Sequence, residues 1–312
     1  VLAKEGLKSD DKEKRLQSLK IIKKFGNNDF KNVLESLLRK NEKGEFLESY
    51  SEVRDNAKKA ISSIERRQFF IDQIANLFYG MSLGSILLLA ALGLAITFGL
   101  MGVINMAHGE MLMIGAYSTF VIQNLFREYL PNLFDWYLIA AIPTAFIVSG
   151  VVGIIMERSV IRHLYGRPLE TLLATWGISL VLIQTVRLIF GAQNVEVANP
   201  SYLSGGIQAF NGVVLPFNRI AIIIFVIFVV ILVWTLLQKS SLGLQVRAVT
   251  QNRGMASCVG ISTRKIDMYT FGLGSGVAGL GGVALSQVGN VGPELGQLYI
   301  VDSFMVVVLG GV

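Results

Sequence analysis

The feature that most constrains this chain is a stretch of about forty apolar residues, Leu83–Leu125, broken once by Asn105-Met106-Ala107-His108-Gly109-Glu110. Leu83–Ile104 is long enough to cross a bilayer, since about 20 residues at 1.5 Å per residue span the hydrocarbon. Met111–Phe126 is shorter and reads as a tilted span or a re-entrant helix. The hexapeptide therefore falls where a chain either reverses at a membrane face or unwinds inside the membrane. A carboxylate such as Glu110 costs about 2.5–3.5 kcal/mol at the bilayer centre, so it must face protein or water. Irregular backbone at that depth is tolerated only beside a cavity or under neighbouring helices. The expectation is a tight polar turn next to a permeation path. His108 is either a structural histidine satisfied by its own hydrogen bonds or half of a charge-neutralising pair with Glu110.

Charge divides the chain. Of its 28 Lys and Arg, 17 precede Gln68, as do 12 of its 22 Asp and Glu, which leaves 11 and 10 for everything after that point. Residues 1–68 read as a small, soluble, charged domain, and residues 69–312 as an all-α polytopic membrane protein. The net charge of +6 is thus concentrated in the soluble part and gives no ground for expecting nucleic acid. The single cysteine, Cys258, excludes an internal disulfide framework, and with two histidines no metal site is expected. Glu110, Glu157, Glu170 and Asp302 lie on different segments, without the pairing that acid–base chemistry needs, so an enzyme is not indicated. Both ends read as cut: the chain begins at Val1, and the apolar run from Phe304 to Val312 is too short to cross, so at least one further span is expected downstream.

Before residue 69 the periodicity predicts three short helices. The first covers about Asp11–Phe25, with Leu16, Leu19 and Ile22 on one face and Gly26-Asn27-Asn28 as its stop. The second is capped by Asp29 and carries Phe30, Val33, Leu34, Leu37 and Leu38; the third carries Val53, Ala57, Ala60, Ile61 and Ile64. The set is similar to HEAT-type helical repeats, too few to stack as a solenoid, and reads as a docking or spacer domain. Phe69–Tyr79 is an aromatic approach suited to the interface. Spans are predicted at about 83–104, 111–126, 137–157, 170–190, 218–237 and 268–288, with a truncated one at 302–312, about seven in all. The glycines Gly272, Gly274, Gly276, Gly279, Gly281 and Gly282 mark one span for close helix packing rather than for ligand contact.

Orientation follows from the basic loops. Arg158, Arg162 and Arg167 sit in one, and Lys239, Arg247, Arg253, Arg264 and Lys265 in another, two spans away, so both belong in the cytoplasm. Three spans before Arg158 place the N-terminal domain outside; two would place it inside. Within the second loop, Gly243–Arg253 reads as a short basic amphipathic helix, with Gly260 as a break. Such a helix suits docking into a groove on a soluble partner, or resting on anionic lipid.

Several stretches are recognisable. Gly84-Ser85-Ile86, Ala91-Leu92-Gly93-Leu94 and Phe98 through Glu110 resemble the membrane permease of branched-chain amino-acid ABC importers, over about Ile74–Val312. Arg247-Ala248-Val249-Thr250-Gln251-Asn252 through Gly260-Ile261 resembles that family's cytoplasmic coupling segment, with Gly254 where alanine or arginine is more usual, a change that loosens the helix. Thr175-Trp176-Gly177-Ile178-Ser179, Phe190-Gly191-Ala192-Gln193 and Ala284 through Pro293 resemble the urea-type branch more narrowly, as does the extracytoplasmic N-terminal extension.

The resemblance implies a permease subunit of an ATP-driven importer in the bacterial inner membrane, taking up urea or a related small amide. A permease for branched-chain amino acids is the alternative within the class, and a passive small-solute channel the alternative outside it. The implied partners are an extracytoplasmic solute-binding protein, a second permease subunit, two cytoplasmic ATPases and membrane lipid. ATP and Mg belong to the ATPases, since no phosphate-binding loop motif occurs in the sequence and no cofactor is expected on this chain. Coupling to the ATPases would fall to Arg247, Gln251, Asn252, Arg253 and Gly260, with the two arginines paired to acids on the ATPase or left solvated. A path for a small amide needs donors and acceptors without a trapping charge. Its candidates are Asn105, His108, Glu110, Thr175, Ser179, Gln184, Gln287 and Asn290, each of which, taken alone, reads first as a helix-packing hydrogen bond. His163 is expected on the surface, and Arg187 is expected to snorkel to head groups.

Overall fold

The computed structural model describes residues 6–7, 9, 11–26, 28–40, 46, 48–210 and 213–311. The chain forms two compact units, one of Val1–Gly80 with Gly206–Leu215 and one of Met81–Gly205 with Pro216–Val312.

In the first unit, helix α1 (Lys12–Phe25) is capped by Asp11, whose carboxylate accepts from the Glu13 amide at 3.0 Å. It stops at Gly26, where a Cβ would collide with the Ile22 carbonyl; Asn27 lies outside the described residues. Helix α2 (Lys31–Ser36) is only six residues long, and Asp29 does not cap it. Asp29 sits inside a 3₁₀ turn, Asn28–Phe30, that leads into the helix. Leu7, Leu19, Ile22, Leu34, Val53, Ala57, Ala60 and Ile64 form the core, with the expected apolar faces of all three helices turned into it. The buried Glu48 carboxylate is paired with Arg15, and Arg54 donates to the Glu48 carbonyl at 2.6 Å, which ties the segment before the third helix to α1. A two-stranded sheet of β1 (Gly206–Phe210) and β2 (Val213–Pro216) joins this unit and was not visible in the sequence pattern.

The third helix does not end near residue 68. It continues as α3 (Ser51–Met101), 51 residues long, because no Gly or Pro falls between Ser51 and Tyr79 to interrupt it. A change from charged to apolar sequence is not a helix stop.

The second unit holds the rest of the helices. These are α4 (His108–Tyr129), α5 (Tyr137–Ser159), α6 (Pro168–Phe190), α7 (Phe217–Lys239), α8 (Ser241–Gln251), α9 (Arg253–Cys258), α10 (Thr263–Ser286) and α11 (Leu295–Leu309). Among the described residues, five helices are long and apolar enough to cross a membrane: α3, α5, α6, α7 and α10. Helix α4 runs three residues further at each end than the expected 111–126, and its 22 residues rise about 33 Å. Helix α11 has 15 residues and begins at Leu295, seven residues before the expected 302.

Helix α10 is the axis of this unit. From Thr270 to Gln287 every residue except Leu273 is buried. Three of its glycines meet backbone: Gly274 lies against Gly93 of α3, Gly279 against Gly115 of α4, and Gly282 against Leu112 of α4. Lipid is as apolar as leucine, so burial gives little drive for such contacts. Close van der Waals approach through small residues supplies it. The register fixes direction: Gly274 with Gly93 and Gly281 with Leu89 make α3 and α10 antiparallel, and Gly153 with Ser275 and Gly279 with Ala145 do the same for α5.

Candidate functional site

The hexapeptide is not a turn. After α3 ends at Met101, Gly102 takes a left-handed φ of +64° and the chain runs irregularly to Ala107. His108, Gly109 and Glu110 form the first turn of α4, where an acidic residue favours the positive end of the helix dipole. His108 Nε2 meets the carbonyl of Ala90 at 3.0 Å. Ala90 lies eleven residues before the end of α3, about 16 Å up that helix. The six intervening residues, which can reach about 20 Å when extended, therefore carry the chain back alongside α3 before α4 begins. Of the two possibilities open for this break, the chain unwinds between helices rather than reversing at a face.

Helix α6 covers the break. It has Pro168 at its first turn and Gly191, at φ +88°, just past its end. Its middle residue, Ser179, donates to Glu110 Oε1 at 2.8 Å, and one turn earlier Thr175 Oγ1 accepts from the Met106 amide at 3.1 Å. Asn105 Oδ1 accepts from the Ala107 amide at 3.0 Å. The structure thus brings together Asn105, His108, Glu110, Thr175 and Ser179, all at most 3% exposed.

This cluster is incompletely satisfied. Glu110 Oε2, His108 Nδ1 and Asn105 Nδ2 are buried without a hydrogen-bond partner. Because Nε2 faces a carbonyl it must carry the ring proton, which leaves Nδ1 as a bare acceptor. The cluster therefore presents a carboxylate oxygen, an imine nitrogen and an amide NH₂, each costing about 1–3 kcal/mol if left unpaired. His108 and Glu110 form no ion pair. Two residues apart on one helix, they point to different faces, which is why the expected neutralising pair does not form.

The other polar candidates lie elsewhere. Gln287 is buried at the far end of α10, where its amide bonds with Tyr137 OH, and it lines an apolar cavity of about 260 Å³ with Ile142, Ile222, Phe225 and Asn218. Asn290 is exposed in the connection to α11, and Gln184 is exposed on α6. Arg187 does not reach for head groups: its guanidinium pairs with Glu294 at the start of α11. His163 is exposed, as expected. Gln123, not among the candidates, is buried with Oε1 accepting from the Ala198 amide at 2.7 Å. Its place on the same helical face as the buried Leu112 and Ala116 was the available signal.

The coupling candidates form their own cluster. Ser240 caps α8 and Asn252 caps α9, accepting from the Met255 amide at 2.9 Å, and Gly260 turns the chain toward α10 at φ +87°. Val246, Val249 and Ala256 pack with Ile266 of α10. Gln251 is exposed. Arg247 donates to the Leu237 carbonyl, and Arg253 pairs with Asp267, so both arginines have partners within the chain. The Arg253 guanidinium lies 4.8 Å over the Tyr165 ring, and Tyr165 OH approaches Glu157 Oε1 at 3.5 Å. Burial pushes the Tyr165 phenol well above its ordinary range, and Asp267 and Glu157 push it further, so it keeps its proton. Sequence reading passed over Asp267, whose one signal was an acid alone among basic neighbours.

Comparison with known proteins bears on what this arrangement serves. The family described as "Branched-chain amino acid transport system / permease component" matches residues 76–312. The chain is 31% identical over 249 residues to the high-affinity branched-chain amino acid transport system permease protein BraD of Pseudomonas aeruginosa, covering 78% of this chain and 80% of that one. It is 31% identical over 256 residues to the permease protein LivH of Escherichia coli, covering 80% and 81%. To the probable branched-chain amino acid transport permease protein LivH of Methanocaldococcus jannaschii it is 30% identical over 238 residues, covering 73% and 70%. No solved structure matches the chain.

Proposed function

Since the chain belongs to the family of branched-chain amino acid transport permease components, we propose that it forms part of the membrane path of an ATP-driven importer for branched-chain amino acids. It is a transport subunit and a multi-pass inner-membrane protein. The observation that carries the substrate is the likeness to relatives named for these amino acids over about four-fifths of both chains. That likeness supports amino acids over urea, which rests on short stretches such as Thr175–Ser179. Those two hydroxyls, which meet the break before α4, would serve either solute.

The path passes Asn105, His108, Glu110, Thr175 and Ser179. Their unpaired acceptors and amide donor suit an ammonium group and a carboxylate moving through helices that otherwise offer hydrocarbon. A binding protein delivers the solute, a second permease subunit completes the path, and two cytoplasmic ATPases hold ATP and Mg and dock on α8–α9. Counting α4 as a crossing helix beside α3, α5, α6, α7 and α10, because its 22 residues rise about 33 Å, makes three crossings before Arg158 and puts the N-terminal unit outside the cytoplasm.

Two measurements test this. Proteoliposomes with the binding protein and ATPases should take up leucine with ATP and ignore urea. Uptake of urea alone would move the substrate to the urea-type branch, and uptake without ATP would make the protein a channel. In spheroplasts, an impermeant maleimide should label Ser36→Cys from outside and leave Cys258, which is exposed, unlabelled until the cells are opened. Labelling of both from one side would overturn the orientation.

A further inference from the structure

We propose that Arg253 is a positioning residue that fastens the cytoplasmic segment α8–α9 to two membrane helices at once, rather than a contact for the ATPase. The inference rests on the coupling role proposed above and says how that segment grips the spans. Arg253 opens α9, and its place is set by the cap immediately before it, Asn252. One grip is on α10: the guanidinium pairs with Asp267, whose side chain is 3% exposed. The other is toward α5: the same guanidinium lies over the Tyr165 ring, and Tyr165 OH reaches toward Glu157, which is buried near the end of α5.

The chemistry makes these grips directional. A buried carboxylate is costly unless paired, and Asp267 pairs with Arg253. The planar guanidinium can face a carboxylate and stack on a phenol ring together, which an ammonium cannot do. The small apolar core of Val246, Val249, Ala256 and Ile266 holds the segment against the base of α10. Apolar packing is non-directional, and the ion pair fixes where the segment sits. Helices α5 and α10 are packed through Gly153 and Ser275 and through Gly150 and Gly272, so a displacement of Arg253 would move both near the axis of the membrane unit.

The test uses the reconstituted transporter, with leucine uptake and ATP hydrolysis measured on the same vesicles. The variants are Arg253→Gln, Arg253→Lys and Asp267→Asn. With assembly intact, Arg253→Gln should lower leucine transported per ATP by roughly five- to tenfold, while ATP hydrolysis changes little. Arg253→Lys should recover only part of this. Asp267→Asn, which leaves the cytoplasmic face untouched, should reproduce the loss, and it keeps the test informative if Arg253→Gln fails to assemble. A normal transport ratio in Asp267→Asn would overturn the proposal. So would an equal fall in hydrolysis and uptake in Arg253→Gln, which would assign Arg253 to the ATPase contact. A wild-type protein without ATP-driven uptake would instead refute the function on which the inference rests, a result distinct from either.

Discussion

Helices α7 and α10 are nearly the same length, 23 and 24 residues, yet they have opposite relations to the protein. Helix α7 is almost continuously Ile, Val, Leu and Phe, and only 22% of its most apolar window is buried; α10 is rich in glycine, and 83% of its window is buried. In water the more apolar helix would be the inner one. In a bilayer the large apolar side chains of α7 are at home in lipid, and the helix with six glycines goes inside because its backbone can touch others there. Smallness, not hydrophobicity, marks the centre of this fold.

The largest effect should come from giving α10 a side chain where it has none. A Cβ at Gly282 would collide with the Leu112 carbonyl oxygen and approach the Ala116 amide. Both are backbone in the interior of α4 and cannot swing aside. Gly282→Val should therefore exceed the about 1–3 kcal/mol usual for overpacking, and the protein should fail to run as a single species in detergent size-exclusion. A monodisperse variant with unchanged melting would show that α10 and α4 are not packed as described.

The next effect separates structure from function among the few polar groups inside. Glu110 lies on α4, facing Ser179, with its second oxygen unpaired. Glu110→Gln keeps the shape and the Ser179 bond but removes the charge. A hydrogen bond to a charged group is worth about 1.5–3 kcal/mol, and each 1.4 kcal/mol is tenfold, so leucine uptake should fall about ten- to a hundredfold. Melting in detergent should hold or rise, since a buried charge is lost. If melting falls and uptake does not, the carboxylate is structural and the interior is as inert to function as the lipid face of α7.

The contrast between the two helices also explains what could be read in advance. The glycine run of α10 announced close packing, and it packs. The break at Gly102–Ala107 was visible as polar sequence, but its geometry was not. A polar hexapeptide between apolar runs reads as a turn, whereas Glu110 in the third position of a helix equally marks a helix start. Helix α11 was placed late because Gln297, Tyr299 and Asp302 dilute its first half. The pairing of Arg253 with Asp267 spans fourteen residues and a change of direction at Gly260, and no periodicity connects them. Of the path candidates, five converge because α6 happens to cross the break at Thr175 and Ser179. Nothing in the spacing distinguishes those two from the exposed Gln184 on the same helix.

The smallest effect belongs on α7, and there the comparison is easiest to break. Phe228 is 61% exposed on that helix and faces away from the buried stripe of Ile222, Val226, Val229 and Val233. If that face meets lipid, Phe228→Leu exchanges one lipid-compatible side chain for another, and melting should move by no more than about 0.5 kcal/mol. The same face tested with Phe228→Ala should remain mild, because no cavity is left in protein and acyl chains fill the space. A loss of several kcal/mol on Phe228→Ala would mean that protein, not lipid, covers this face. Helix α7 would then be an interface, with its large side chains packed as tightly as the glycines of α10.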